Sequence, residues 1–340
     1  MKFLQTHPFL RTCLFIALLV IALHAQAAPG EARTLCIFDP IGANGQLFNF
    51  MKDIETKSLA WGVTLQLKAY TDEGIAANDF SSGQCHMVML TGTRARAFNR
   101  FTGTLEAVGG IPDDQQMRLI LDTLMQAKAA SLMREKAYEV AGILPAGAVY
   151  LFSRDRGIDS VEKLQGKKIA TMDFDPAALI MVRHVGASVV NANSVNFAGL
   201  FNNGSVDLVY APAVAYMPLE LYKGVTPRGG VIDYKIAQMN FQMVLHADQF
   251  PPGYAQQARS YITTRYDDYY RLIHRAEADI EEKYWIRLDA ERVNRYDDML
   301  REVRIRMRDE GIYHAKALSL MRQVRCKFNP SQAECVEKRE

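Results

Sequence analysis

Two Phe-Asp-Pro steps, Phe38-Asp39-Pro40 and Phe174-Asp175-Pro176, are the residues whose types and placing could do chemistry. Each closes an apolar run (TLCIFDP and KKIATMDFDP) and precedes a helix-forming stretch. A carboxylate there can cap the helix, with proline tolerated at its first position, or it can reach a ligand from the loop after a strand. A second pattern follows each step: FSSGQCHMVMLT at 80–91 and FNNGSVDLVYAP at 201–212. Both read Phe, two small polar residues, Gly, then an apolar run ending at a turn. The copies are unequally spaced, Phe80 lying 42 residues after Phe38 and Phe201 only 27 after Phe174. Such repetition predicts two related α/β units whose strand ends and helix starts face a shared, ligand-holding cleft.

Loops after strands would bring Asp39, Asn44, Tyr70, Thr71, Asp72, Glu73, Thr91, Thr93 and Arg94 to that cleft from the first unit. The second unit would offer Asp173, Phe174, Asp175, Asn196, Pro212 and Tyr216. Asn240 and Gln242 lie on a return crossing and can also face inward. Polar groups with a few aromatics suit a small polar solute. Each residue also has a local reading: Asp39 and Asp175 as helix caps, Arg94 as a partner of Asp72 or Glu73.

Catalysis finds no motif. There is no G-x-S-x-G elbow, P-loop or H-E-x-x-H, and Gly42–Gly45 lacks the Rossmann glycine spacing. There is no Cys-x-x-Cys, and the histidines after residue 27 (His86, His184, His246, His274, His314) lack ligand spacing. Neither an enzyme, a cofactor nor a metal is expected, and an exported hydrolase is the catalytic alternative.

These residues must be positioned by an exported chain. Lys2 and Arg11 precede an apolar core, Cys13–Leu23, and Ala25-Gln26-Ala27 is a small-x-small cleavage site. Residues 1–27 are therefore read as a cleaved signal peptide, which implies a periplasmic protein. The remaining 313 residues suffice for two lobes and carry 38 Lys+Arg against 38 Asp+Glu. A nucleic-acid partner would show a basic excess, so none is expected. Cys36, Cys85, Cys326 and Cys335 remain, an even number that suggests two disulfides. Of three pairings, Cys36–Cys85 and Cys326–Cys335 are favoured. The first pair lies near the starts of neighbouring strand-like runs, and the second closes a short loop at Asn329-Pro330.

Strand and helix patterns alternate from residue 34, which predicts α/β architecture with a parallel sheet. Strands are expected at Thr34–Phe38, Val63–Tyr70, Met87–Leu90, Lys168–Met172, Ser188–Val190 and Val206–Tyr210. Helices are expected at Phe48–Trp61, Gly74–Phe80, 113–134, Ile158–Leu164, Ala177–Val185 and Phe197–Phe201. Tyr138–Phe152 is apolar but holds Pro145 and Gly147, so two short strands joined there are expected at a first crossing between lobes. Tyr234–Leu245 would cross back. Lobe one is then 28–145 plus 246–340, its C-terminal helices bracing the molecule, and lobe two is 146–245. Acids and bases interleave through 277–310, as on a solvated helical face.

Read end to end, the chain resembles the DctP-like extracytoplasmic solute-binding proteins of TRAP transporters. Leu164-Gln165-Gly166-Lys167-Lys168-Ile169, Val185 to Val190 (VGASVV) and Phe201–Asp207 carry the likeness over about residues 34–325. A closer likeness, to a branch sometimes labelled RND-type efflux or aminoglycoside-resistance proteins, rests on Asp39 to Gly42, Tyr70 to Glu73, Phe98 to Gly103, Tyr138 to Pro145 and Phe197 to Asp207. The resemblance implies a type II periplasmic-binding fold that closes on a solute and presents it to a TRAP-type membrane permease, with a monomer expected. The efflux label has no mechanical support here, since an RND pump needs many membrane spans. A non-transport envelope or interaction protein on the same fold is the alternative. One position departs from the family: where it usually carries a carboxylate-clamping arginine, this chain has Ala170. With Asp39, Asp72, Glu73, Asp173 and Asp175 set against Arg94 and Arg96, a neutral or cationic polar ligand is expected rather than a simple monocarboxylate. The rival is that Arg94 takes the carboxylate.

Overall fold

The computed structural model describes residues 32–340, so the expected signal segment lies outside the described residues. Arg33–Glu340 form one compact unit. It begins as the alternation predicts: β1 (Arg33–Phe38), α1 (Gln46–Ala60), β2 (Leu65–Tyr70), α2 (Glu73–Ser81) and β3 (Met87–Thr91). Helix α1 forms because Leu47, Phe48, Met51, Ile54 and Ser58 recur on one face, which is buried. Short helices α3 (Gly92–Ala95) and α4 (Arg100–Gly103) follow, then α5 (Asp114–Leu124) and the two-residue strand β4 (Arg134–Glu135). The helical stretch expected over 113–134 therefore ends at Leu124 and continues as a 3-10 segment, Ala127–Leu132.

The second half repeats the plan: β5 (Tyr138–Ser153), β6 (Lys168–Met172), α6 (Pro176–His184), β7 (Ser188–Ala192), α7 (Phe197–Asn202), β8 (Leu208–Pro212), α8 (Tyr222–Val225) and β9 (Gly230–His246). Of the helix expected at 158–164, only the 3-10 turn Glu162–Leu164 forms. The chain ends with α9 (Tyr254–Thr263), α10 (Tyr266–Ala278), β10 (Trp285–Ile286), α11 (Ala290–Asp309), α12 (Ala315–Phe328) and α13 (Ala333–Glu337).

Two expectations need correction. Residues 138–153 are one strand of 16 residues, not two. Register shifts at Val140/Gly142, Pro145/Gly147 and Val149/Leu151 against β9 absorb the proline, and Gly147 takes φ +89. A bulge is where a strand tolerates proline's missing N–H. The sheet is also mixed rather than parallel. Its order is β2-β1-β3-β9-β5-β8-β6-β7, with β10 on β9 and β4 on β5. Strands β2, β1 and β3 are parallel, as are β7, β6 and β8. Between these triplets β5 and β9 run antiparallel to each other, β9 pairing with β3 and β5 with β8. The return strand is longer than predicted because both of its ends find a partner.

The larger apolar core surrounds β1, β3 and the neighbouring stretches of β5 and β9. A second cluster, including Phe152, Phe201, Val209, Tyr216 and Leu221, lies beside β8. Helices α9 and α10 pack on β5, α11 on α6, and α12 on α5. Both favoured disulfides are present: Cys36–Cys85 joins β1 to the turn before β3, and Cys326–Cys335 ties α12 to α13.

Candidate functional site

A cavity of about 790 Å³ opens where the carboxyl ends of the two parallel triplets meet. Phe38 and Thr91 reach it from β1 and β3, and Met172 and Pro212 from β6 and β8. Pro145 and Ala146 of β5, with Met239 and Phe241 of β9, form its floor. Strand ends from both halves converge because a parallel strand delivers its following loop to that edge.

Asp39, on the cavity wall, is only 3% exposed. Its carboxylate accepts from Ile41 N at 2.9 Å and Phe48 N at 3.1 Å, so it ties the turn after β1 to the first turn of α1. A Cβ on Gly45 would stand 1.9 Å from an Asp39 oxygen, and only glycine leaves room for this approach. Glu73 is buried and accepts from Thr91 N at 2.7 Å, with Arg94 Nε 3.7 Å from its other oxygen. Burial pushes its pKa up.

The most heavily bonded group on the wall is Glu106. Its Oε1 accepts from Gly92 N (3.0 Å) and Asn240 N (2.7 Å), and its Oε2 from Thr93 N (2.7 Å) and Thr93 Oγ1 (2.6 Å). It thus pins the start of α3 to the crossing strand β9. Burial raises its pKa to about 7, opposed by these donors and by the charge of Arg96.

Asp175, from the other half, caps α6 by accepting from Ala177 N at 3.1 Å. Burial raises its pKa, and Arg96 opposes the rise. Tyr210 accepts from Met172 N at 3.0 Å on the same wall. Arg94 spans the halves: its guanidinium carbon lies 3.4 Å from the Phe174 ring centroid. A second bridge runs from Glu73 N to Ser194 Oγ at 3.2 Å. Arg96 lines the cavity beside these contacts. Its Nε donates to Gly103 O at 3.2 Å and its guanidinium lies 5.0 Å from the Tyr313 ring centroid. Arg265, the other arginine on the wall, is tied to Asp53 and Asp268.

Of the candidates named from sequence, Asp39, Asn44, Thr91, Phe174, Asp175 and Pro212 line the cavity, joined by Glu73 and Thr93. The others sit elsewhere. The Tyr70 hydroxyl donates to Asp79, away from the cavity and next to the Cys36–Cys85 bridge. Asp72 caps α2, accepting from Gly74 N and Ile75 N. Asp173 is exposed. Asn196 accepts from Asn193 N in the turn before α7. Tyr216 is buried in the second core, stacked on Phe152. Asn240 and Gln242 form a buried ladder behind the wall: Gln242 Nε2 donates to Asn240 Oδ1 and Thr102 O, both at 2.9 Å. Thr71 does not line the cavity. Sequence reasoning missed Glu106, although a signal existed: it is the one charged residue between Arg100 and Asp113. It also missed Tyr269, on α10, and Tyr313, in the loop between α11 and α12, as cavity residues, because both come from chain far from the strand ends.

No group of three or more His, Cys, Asp or Glu among the described residues is placed to hold a metal ion. None of the described helices is long and apolar enough to cross a membrane.

Residues 54–340 match the family model described as "Solute-binding protein AdeT 1/2". "Probable solute-binding protein AdeT1" of Acinetobacter baumannii is 38% identical over 299 residues, covering 88% of this chain and 98% of AdeT1. The periplasmic ectoine-binding protein of the TeaABC TRAP transporter of Halomonas elongata superposes with TM-score 0.72 at 14% identity, over 86% of this chain and 99% of that one. A TRAP periplasmic solute-binding protein of Desulfovibrio salexigens, solved with orotic acid bound, superposes with TM-score 0.71 at 12% identity, over 88% and 98%. At these identities the structural likeness establishes the fold, the type II arrangement of periplasmic binding proteins.

Proposed function

The chain belongs to the AdeT 1/2 family of solute-binding proteins, and from that premise we propose that it captures a small polar solute between two lobes and delivers it unaltered to a TRAP-type membrane permease. The supporting observation is the cavity of about 790 Å³, walled by strand ends of both triplets and spanned by the crossing pair β5 and β9. Lobe one is taken as 28–145 plus 246–340 and lobe two as 146–245, so the changeovers fall at the bulge of β5 and the end of β9. Ligand contacts from both sides favour the closed state over the open one, and binding needs no further machinery. The protein acts in the periplasm as a monomer after loss of residues 1–27, and the solute leaves as it arrived.

Mass spectrometry of compounds released when the natively purified chain is denatured tests this reading. One small polar compound, recovered intact and rebinding by isothermal titration, is expected. Turnover of that compound would contradict it.

A further inference from the structure

Most charged groups on the cavity wall are already engaged. Asp39 is held by two backbone N–H groups, Glu106 by four donors, and Asp53 by Arg265. Glu73 has Thr91 N and Arg94. Two groups are left over, one from each half. Arg96 uses only its Nε, on Gly103 O, and its terminal nitrogens have no partner among the described residues. Asp175 bonds only to the backbone at the start of α6, through Ala177 N and Ala178 N, and has no side-chain partner among those residues. The two carry opposite charge and feel each other, yet form no ion pair. Around them the wall is apolar and aromatic, with Met172, Phe174, Phe197, Tyr210 and Phe241.

We propose that the cavity is a site for a zwitterion with an apolar body, whose anionic group is taken by Arg96 and whose cationic group is taken by Asp175. This rests on the solute-capture reading above and names the ligand class. A guanidinium with free terminal nitrogens presents paired donors to a carboxylate. Asp175 presents its unbonded lone pairs to an ammonium group, while the rings accept the apolar body and add cation–π attraction. A monoanion at Arg96 would leave Asp175 desolvated and unpaired and would also face buried Glu106. A monocation at Asp175 would face Arg96 in the same way. An unpaired, desolvated charge costs more than its partner's contact returns, so the pair rejects single-headed ligands. Because the anchors sit on opposite halves, only a ligand with both groups draws the halves together through both of them.

Three probes share one ring and differ in their heads: L-phenylalanine, 3-phenylpropionate and 2-phenylethylamine. Isothermal titration of the full chain at neutral pH should show L-phenylalanine binding at least about tenfold tighter than either of the others. Arg96→Gln should erase its advantage over 2-phenylethylamine, and Arg96→Lys should restore part of it. Asp175→Asn, which keeps a capping oxygen, should erase its advantage over 3-phenylpropionate. Circular dichroism of each variant separates lost binding from lost folding. Equal or tighter binding of a single-headed probe, or no binding of L-phenylalanine, overturns the assignment. The compound released on denaturation separates the two readings: a singly charged one sinks the zwitterion site and leaves solute capture standing, whereas no compound and no response to any probe counts against both.

Discussion

At the scale of single residues, the cavity depends on carboxylates that bind the protein's own backbone. Glu106 is buried, and burial lifts its pKa from the usual carboxylate range to about 7. The unfolded chain would release that proton near 4.5, so between these values the folded state holds more protons. Its contribution to stability is therefore greatest at low pH and falls as pH rises through 7, by at most on the order of 3 kcal/mol. Glu106→Gln removes the titration and turns an amide N–H₂ toward at least one backbone N–H, which can only donate. The melting temperature of this variant, followed between about pH 4.5 and 8, should lose part of the wild-type slope, with buried Glu73 and Asp175 keeping the rest; an unchanged slope would show that Glu106 is not a source of it. Gly45→Ala is a steric counterpart. Its new methyl group would stand 1.9 Å from the Asp39 carboxylate, and about 1–3 kcal/mol should be lost in urea unfolding. Gly62, where an added Cβ would meet nothing within 4 Å, is no control for space alone, because its φ of +80 strains any side chain.

At the scale of elements, the two disulfides do different work. Cys36–Cys85 closes 49 residues and links β1 to the turn that feeds β3, inside the half that carries Asp39 and Thr91. Cys326–Cys335 closes only 9. Loop-closure entropy gives about 4 kcal/mol for the longer loop and about 2.5 for the shorter. Serine pairs at the two bridges should therefore lower the urea midpoint unequally, with the 36–85 pair the more costly; the reverse order would mean that strain or residual structure dominates. The shorter loop holds α13 beside a buried ionic clasp. Arg304 and Arg325 pair with Glu340, and they also donate to Val108 O and Gly110 O, backing the stretch that follows Glu106. Glu340→Ala would take one carboxylate from two buried guanidinium groups; Arg325 keeps Glu334 at 2.6 Å and Arg304 has it only at 3.8 Å, so a loss of about 1.5–3 kcal/mol is expected in the same unfolding assay.

At the scale of the whole molecule, motion should follow the crossing pair, because β5 and β9 alone carry the sheet from one triplet to the other. Two contacts join the halves at the cavity's edge: Arg94 over Phe174, and Glu73 N to Ser194. The cation–π contact is worth about 1 kcal/mol, so Arg94→Ala should weaken binding of the co-purified ligand several-fold without abolishing it. Small-angle scattering should show the wild-type radius of gyration shrinking when that ligand is added. Complete loss of binding in the variant would instead make Arg94 a direct ligand contact, the carboxylate role considered from sequence.

The order of strands and helices was legible from the sequence because local period and punctuation set it. The two Phe-Asp-Pro steps do sit at matching strand ends, and the favoured cysteine pairs are bonded, since neighbouring strand starts and a short loop bring them within reach. Pro145 misled because a residue reads as a strand breaker only until a bulge against the partner strand absorbs it. Which polar groups face the cavity was not legible. Asn240 and Glu106 meet at 2.7 Å across 134 residues of chain, a contact that no local pattern encodes. Tertiary packing alone decided that Arg94 is spent on Phe174 while Arg96, two residues on, keeps its terminal nitrogens unpaired among the described residues. The side-chain direction of each follows from the helix and loop it rides on, and those were set by the fold around them.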